Sequence, residues 1–258
     1  MSTDKLQQWM DELERSPLKK LPVPREKKKK EYEMQLVAFI DILGLSEKIR
    51  NNPDPDSADE IFKLMTDIRT CVDFSCRALT DEAHLRRLQL GDAFTITADF
   101  GCIDGLCEIL STIQWRALIE LKMLIRGALT AGKVAIGTGT EFIVGPAFLD
   151  AYTLERENAI FPRIILANEI KRFKMNLTYI AEDTDKLRYI DYIKYGYVNG
   201  EHTKKTFGNL FITHGTKKLI KDEYLHKLED NDPDAQKVAQ KYGWLIKKLD
   251  HFGIKILA

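Results

Sequence analysis

The chain lacks any run approaching the roughly 18 apolar residues of a membrane-spanning helix. Its opening stretch, MSTDKLQQWMDELERS, also lacks the apolar centre of a secretory leader. Together these absences predict a soluble, cytoplasmic protein with no membrane contact. Charge of one sign is missing as well. The 258 residues carry 39 Lys and Arg against 39 Asp and Glu, so nothing draws the chain to nucleic acid in general. Cysteine is sparse: Cys71, Cys76, Cys102 and Cys107 show no CxxC spacing, and the five histidines are scattered. A zinc site or a disulfide frame is therefore not expected, and the thiols read as ordinary core residues. No internal repeat or low-complexity tract occurs.

What remains is 44% apolar, enough for a substantial core. Leu6, Trp9, Met10 and Leu13 fall at helical spacing, and SPLKKLPVP with REKKKKE follows as a basic tether. Residues 1–33 are assigned to that helix and tether, 34–170 to the main domain, and 171–258 to a strand and helix extension packed on it. In QLVAFIDILGLSEKI, apolar residues of both parities crowd around Asp41, which predicts a strand buried on both faces. After NNPDPD, Ser57 and Glu60 form a capping box for a helix over 58–79. LRRLQL and AFTITADF are joined by Gly91-Asp92, a hairpin signal. A second helix fits 103–124, and LIRGALTAGKVAIG reads as a strand pair or one long bent strand. GPAFLDAYTLERENA is helical with Pro146 in its first turn, and PRIILA is a buried strand. LRYIDYI and LFITHG read as further strands, and DAQKVAQKYGWLIKKLDHFG as a closing helix. The order β-α-β-β-α-β-α-β implies an α+β fold: a ferredoxin-like split βαβ with helices on a mostly antiparallel sheet.

A carboxylate inside a buried strand costs several kcal/mol unless something pairs with it. Asp41 lies at the end of the first strand, and Asp92 lies in the hairpin between its expected neighbours. Either residue alone favours a turn or cap role; the metal reading rests on the two together in that strand context. Converging, the two carboxylates repel unless a cation bridges them. A hard divalent ion held by two aspartates and a backbone carbonyl is a common solution in phosphate chemistry. Gly44 permits a tight turn that would face the amides of Leu43, Gly44 and Leu45 toward a polyphosphate. Phe39 shares the parity of Asp41 and either lines a nucleotide pocket or fills the core.

FIDILGLS and LQLGDAF resemble the two metal-aspartate motifs of the class III nucleotidyl cyclases, and GPAFLDAYTLE resembles that family's helix motif. The similarity runs from about Gln35 to Ala167. RGALTAGK, GPAFLDAYTLERENAIFPRIIL and LRYIDYI look more narrowly like the pyrimidine cyclases of the Pycsar antiphage system. The resemblance implies a cyclase fold and a lyase that binds two Mn²⁺ or Mg²⁺ ions through Asp41, Ile42 and Asp92. It also implies a homodimer with active sites at the interface. Leu88 and Phe142 stand where purine cyclases carry their base-reading pair, and Leu149 and Thr153 where the family carries a transition-state Asn and Arg. Arg126, Arg156 and Arg163 are nearby cations that could substitute, with Arg163 assigned to nucleotide binding.

The expected activity is conversion of UTP, or less favourably CTP, to the 3′,5′-cyclic monophosphate (cUMP) and pyrophosphate, a second messenger for an antiphage effector. A purine cyclase and a degenerate domain that binds nucleotide without turnover are the alternatives.

Overall fold

The computed structural model describes residues 31–51, 55–77, 85–137, 142–202 and 212–257. Tyr32–Ala258 form one compact unit. The expected helix around Trp9 and the basic run up to Lys30 lie outside the described residues.

The first strand, β1 (Glu33–Ile42), is buried without a break from Gln35 to Ile40, as its lack of alternation requires. Leu36, Ala38, Ile40 and Ile42 enter the main core, while Val37 and Phe39 enter a smaller cluster on the opposite face. A short helix, α1 (Leu45–Asn51), precedes α2 (Pro55–Arg77). The latter starts three residues ahead of the expected position, because proline suits a first helical turn. The hairpin of β2 (Arg86–Leu90) and β3 (Ala93–Ala98) forms around Gly91-Asp92. Its turn needs glycine, since Gly91 has φ +61°.

Helix α3 (Ile103–Arg116) is shorter than its apolar pattern suggests. It loosens into a π-helical turn at Ala117–Leu121 and stops at Lys122, a non-glycine residue in the left-handed region with φ 57°. β4 (Ile125–Ile136) is one continuous strand, which resolves the strand-pair alternative, and the two-residue β5 (Ile143–Val144) pairs with its far end. α4 (Pro146–Asn158) then crosses over to β6 (Ile164–Leu166), which runs parallel to β4. β7 (Ile180–Glu182) and β8 (Arg188–Ile190) extend the same sheet, giving the order β2-β3-β1-β4-β6-β8-β7. All other pairings are antiparallel.

Two expected strands run into helices at their C-terminal ends. LRYIDYI holds strand only over Arg188–Ile190, because Asp191 accepts the Lys194 amide at 3.0 Å and so caps α5 (Tyr192–His202). In LFITHG, Leu210 and Phe211 lie outside the described residues. Thr213 caps α6 (His214–Glu229) through the Thr216 amide at 3.2 Å, and Gly215 falls in the first turn. The closing helix α7 (Pro233–His251) packs on α6 and buries Trp244, Leu245 and Leu249 in a second core with Trp115, Ile165 and Tyr189. Among the described residues no helix is long and apolar enough to cross a membrane.

Candidate active site

Ladder register decides which side chains meet. On β1, Asp41 pairs with Ala93 of β3 on one side and Arg126 of β4 on the other, and Phe39 pairs with Thr95 and Ala128. Directly paired residues share a face of the sheet. One row therefore reads Leu90, Ala93, Asp41, Arg126, and the next reads Leu88, Thr95, Phe39, Ala128. α4 covers this face, and Phe39 meets the rings of Phe148 at 6.2 Å and Tyr152 at 5.4 Å, both edge-on.

At the open end of these rows lie two adjoining clefts, of about 600 and 570 Å³, and Asp41, Ser46, Asp92 and Arg126 line both. The strand end thus brings Asp41 and Asp92 together. Asp92 accepts a hydrogen bond from the Ser46 hydroxyl in the first turn of α1. The Arg126 Nε donates to Asp41 at 3.1 Å and lies 2.7 Å from Glu155 of α4. Its single hydrogen points at Asp41, so the Glu155 contact is one of charge alone. Burial raises the Asp41 carboxyl above the ordinary range; Arg126 opposes this and Asp92 adds to it. Glu155 is pushed up to about 7, chiefly by burial, against the pull of Arg126 and with further upward pressure from Asp41 and Asp92.

The donor set suits a hard divalent cation. The two carboxylates converge closely enough for Asp41 to feel the charge of Asp92, and both offer oxygen donors. Among the described residues no third carboxylate, histidine or cysteine completes a protein-only cage. Mg²⁺ commonly uses one or two carboxylates and leaves its other positions to phosphate and water. Ile42 offers a carbonyl at the same strand end and lines the first cleft.

The backbone expected to face polyphosphate is partly committed. The Leu43 amide donates to the Leu124 carbonyl at 2.9 Å, which removes it from ligand binding. Gly44, with φ +82° and open space beside it, makes the turn into α1, and the Leu45 side chain is buried. That leaves the Gly44 and Leu45 amides as the backbone donors at this corner.

Of the three arginines near the helix motif, Arg126 is in the site and Arg156 lines the second cleft beside Leu149. Arg163 is not there, and its assignment to nucleotide binding is corrected. It is fully buried and donates to Asp183 at 2.6 Å and to Asp185. The rings of Phe161, Tyr189 and Trp244 surround its guanidinium, at 5.2, 5.3 and 5.9 Å. The same Asp183 carboxylate accepts the Trp244 indole N–H at 2.6 Å. Burial alone would raise the Asp183 carboxyl, but the Trp244 bond, the Thr184 amide, Lys248 and Arg163 together hold it below the ordinary range.

Leu88, at one expected base-reading position, is buried beside Phe39, and Phe142 at the other is exposed. Leu149 is 60% exposed and lines the second cleft, and Thr153 is exposed. Neither can supply the charge that an arginine would. Glu155, Ser46 and Lys241 complete the site and went unread in the sequence. Glu155 was detectable as a lone acid on the buried stripe of its helix, whereas Ser46 and Lys241 carried no local signal.

No family model matches the sequence, and no curated protein does. Solved structures are similar in fold. A bacterial light-regulated adenylyl cyclase superposes with a TM-score of 0.50 at 15% identity, over 73% of this chain and 64% of that one. The guanylyl cyclase domain of the RhoGC fusion protein from the aquatic fungus Blastocladiella emersonii gives 0.46 at 17% identity, over 63% of this chain and 96% of that one. The chain therefore spans less than two thirds of the light-regulated cyclase. The architecture is the class III cyclase fold.

Proposed function

We propose that the protein is a nucleotidyl cyclase that converts a nucleoside triphosphate to the 3′,5′-cyclic monophosphate and pyrophosphate. One observation carries this reading. On a cyclase fold, Asp41 and Asp92 converge at the mouth of two clefts, one lined by basic side chains and the other by aromatic ones. In the reaction the ribose 3′-oxygen forms a bond to the α-phosphorus, and its proton passes to solvent. The bond from that phosphorus to the bridging oxygen breaks, and its electron pair leaves with pyrophosphate. Asp41 and Asp92, with the Ile42 carbonyl, would hold Mn²⁺ or Mg²⁺, two ions per site, supplying Lewis acidity toward the attacking and leaving oxygens. Ser46 orients Asp92, and Arg126 offsets Asp41 and Glu155 until the ion-laden substrate enters. In the second cleft Phe39, Phe148 and Tyr152 exclude water around the base and ribose.

A pyrimidine substrate, UTP above CTP, is the finer reading. Apolar Leu88 and exposed Phe142 hold the places where a purine edge would be hydrogen-bonded, and a polar edge left unpaired there is penalised. The family resemblance also supports a homodimer in which a second copy covers Leu149 and Tyr152 on α4. It further supports an antiphage effector that reads the product, and a cytoplasmic setting. Incubation with each of the four triphosphates and Mn²⁺, followed by chromatography, tests the reading. Cyclic UMP is expected to dominate. Dominant cyclic AMP or GMP would replace it with a purine cyclase, and nucleotide binding without pyrophosphate release would leave only a binding module.

A further inference from the structure

The basic cleft has a wall that no strand supplies. Glu223 and Lys227 reach it from α6, and Val238, Lys241 and Tyr242 from α7, across from residues of α1 and the β4 entry turn. Its basic lining is Lys48, Arg50, Lys122, Arg126, Lys227 and Lys241, against four acidic side chains. Asp41 is already matched by Arg126.

Lys241 stands apart from the other lysines of α7 that carry ion pairs. Lys248 pairs with Asp183 at 3.5 Å and Lys237 with Asp234 at 2.7 Å. Lys241 is half-buried, yet among the described residues no carboxylate lies within ion-pair distance of it. Its ammonium pKa is lowered, first by burial and then by the Arg126 guanidinium; Asp41 and Glu47 oppose this only in part. A desolvated cation beside a second cation is costly in the empty protein and becomes favourable when an anion enters between them.

We infer that Lys241, backed by Lys227 on the adjoining helix, binds the terminal phosphates of the triphosphate, so that the C-terminal helical pair forms part of the substrate site. The inference rests on the cyclase reading for the identity of the substrate, and on the cleft alone for the anion site. An ammonium on a flexible stem is a suitable phosphate partner, being a point charge with three donors. A cleft of about 600 Å³ has room for a polyphosphate beside the two aspartates. Lys241 is thereby a substrate-binding residue: it holds the leaving pyrophosphate and does not touch the bond being made.

The test uses the full chain and inorganic tripolyphosphate, with divalent ions chelated, by calorimetry. Lys241→Gln is expected to weaken binding by about tenfold or more, as loss of a charge-assisted bond does. Lys241→Arg should retain most of it, and Lys237→Gln, altering an exposed pair, should match the parent. In turnover, Lys241→Gln should raise KM for the triphosphate more than it lowers kcat. Thermal melts confirm folding, since removing a desolvated charge should not lower stability. Tripolyphosphate binding and KM unchanged in Lys241→Gln, with the parent still cyclising nucleotide, would overturn the anion site and leave the cyclase reading standing. Lys241-dependent binding in a parent that cyclises nothing would support the anion site and overturn the cyclase reading.

Discussion

Arg126 stands directly across the β1–β4 ladder from Asp41, and its Nε donates to that carboxylate at 3.1 Å. With Glu155 only 2.7 Å from the same nitrogen, one guanidinium answers two acids from opposite layers, a strand and the helix above it. A cation captured by Asp41 must therefore compete with Arg126.

Arg126→Gln is expected to cost about 1–3 kcal/mol in the metal-free protein, because two largely buried carboxylates lose their partner. Mn²⁺ should then raise the melting temperature of the variant more than that of the parent. Equal shifts in the two would show that the ion and the guanidinium do not share Asp41.

Asp41→Asn and Asp92→Asn should each abolish turnover, since an amide carries no charge for a divalent ion. Neither should lower the stability of the metal-free protein by much. The Asp41 carboxyl is raised by burial, so its ionised form is already disfavoured on folding. The double variant should lose little beyond either single one. Pyrophosphate release near the parent rate in Asp41→Asn would refute the site.

Glu155 provides a pH signature. Its carboxyl is held near 7 in the fold and titrates in the unfolded chain near the ordinary 4.5. The folded state thus keeps the proton longer, and stability is fully present below the lower value and lost as pH rises through the higher one. The loss is on the order of 3 kcal/mol at most. Glu155→Gln should flatten the melting temperature between pH 5 and 7.5, and a profile parallel to the parent would place the titration elsewhere.

Lys122 ends the π-helical turn with a left-handed backbone, φ 57°. Lys122→Gly should remove strain of about 1 kcal/mol and raise the urea midpoint, because glycine adopts that conformation freely. A lowered midpoint would mean that side-chain contacts, and not the backbone, set the turn.

The sequence was most informative where one residue type answers one local demand. The uninterrupted apolar run of β1, the Gly91-Asp92 turn and Pro146 each announced an element that is present. Asp41 and Asp92 were legible because a charge in a buried strand and a turn acid flank the same expected ladder. Arg163 misled because its neighbourhood in sequence suggested the site, whereas its partners Asp183 and Asp185 lie some twenty residues on and draw it to another part of the sheet. LFITHG has strand propensity, but the Thr213 cap and the packing of α6 on α7 decide it. Lys241 could not be read at all, because its role comes from a helix folding back onto a cleft built by residues between Asp41 and Arg126, far earlier in the chain.

The Arg163 cluster has a consequence at a distance. Asp183 holds the buried guanidinium with one oxygen and, through the same oxygen, the indole of Trp244. Trp244 is one helical turn from Lys241 on α7. Swinging that helix away would strip an indole partner from the carboxylate and open a fully buried cation to water. The charged face of α7 is thus preorganised: the entropy of placing its lysines is spent during folding, and an incoming anion need not supply it.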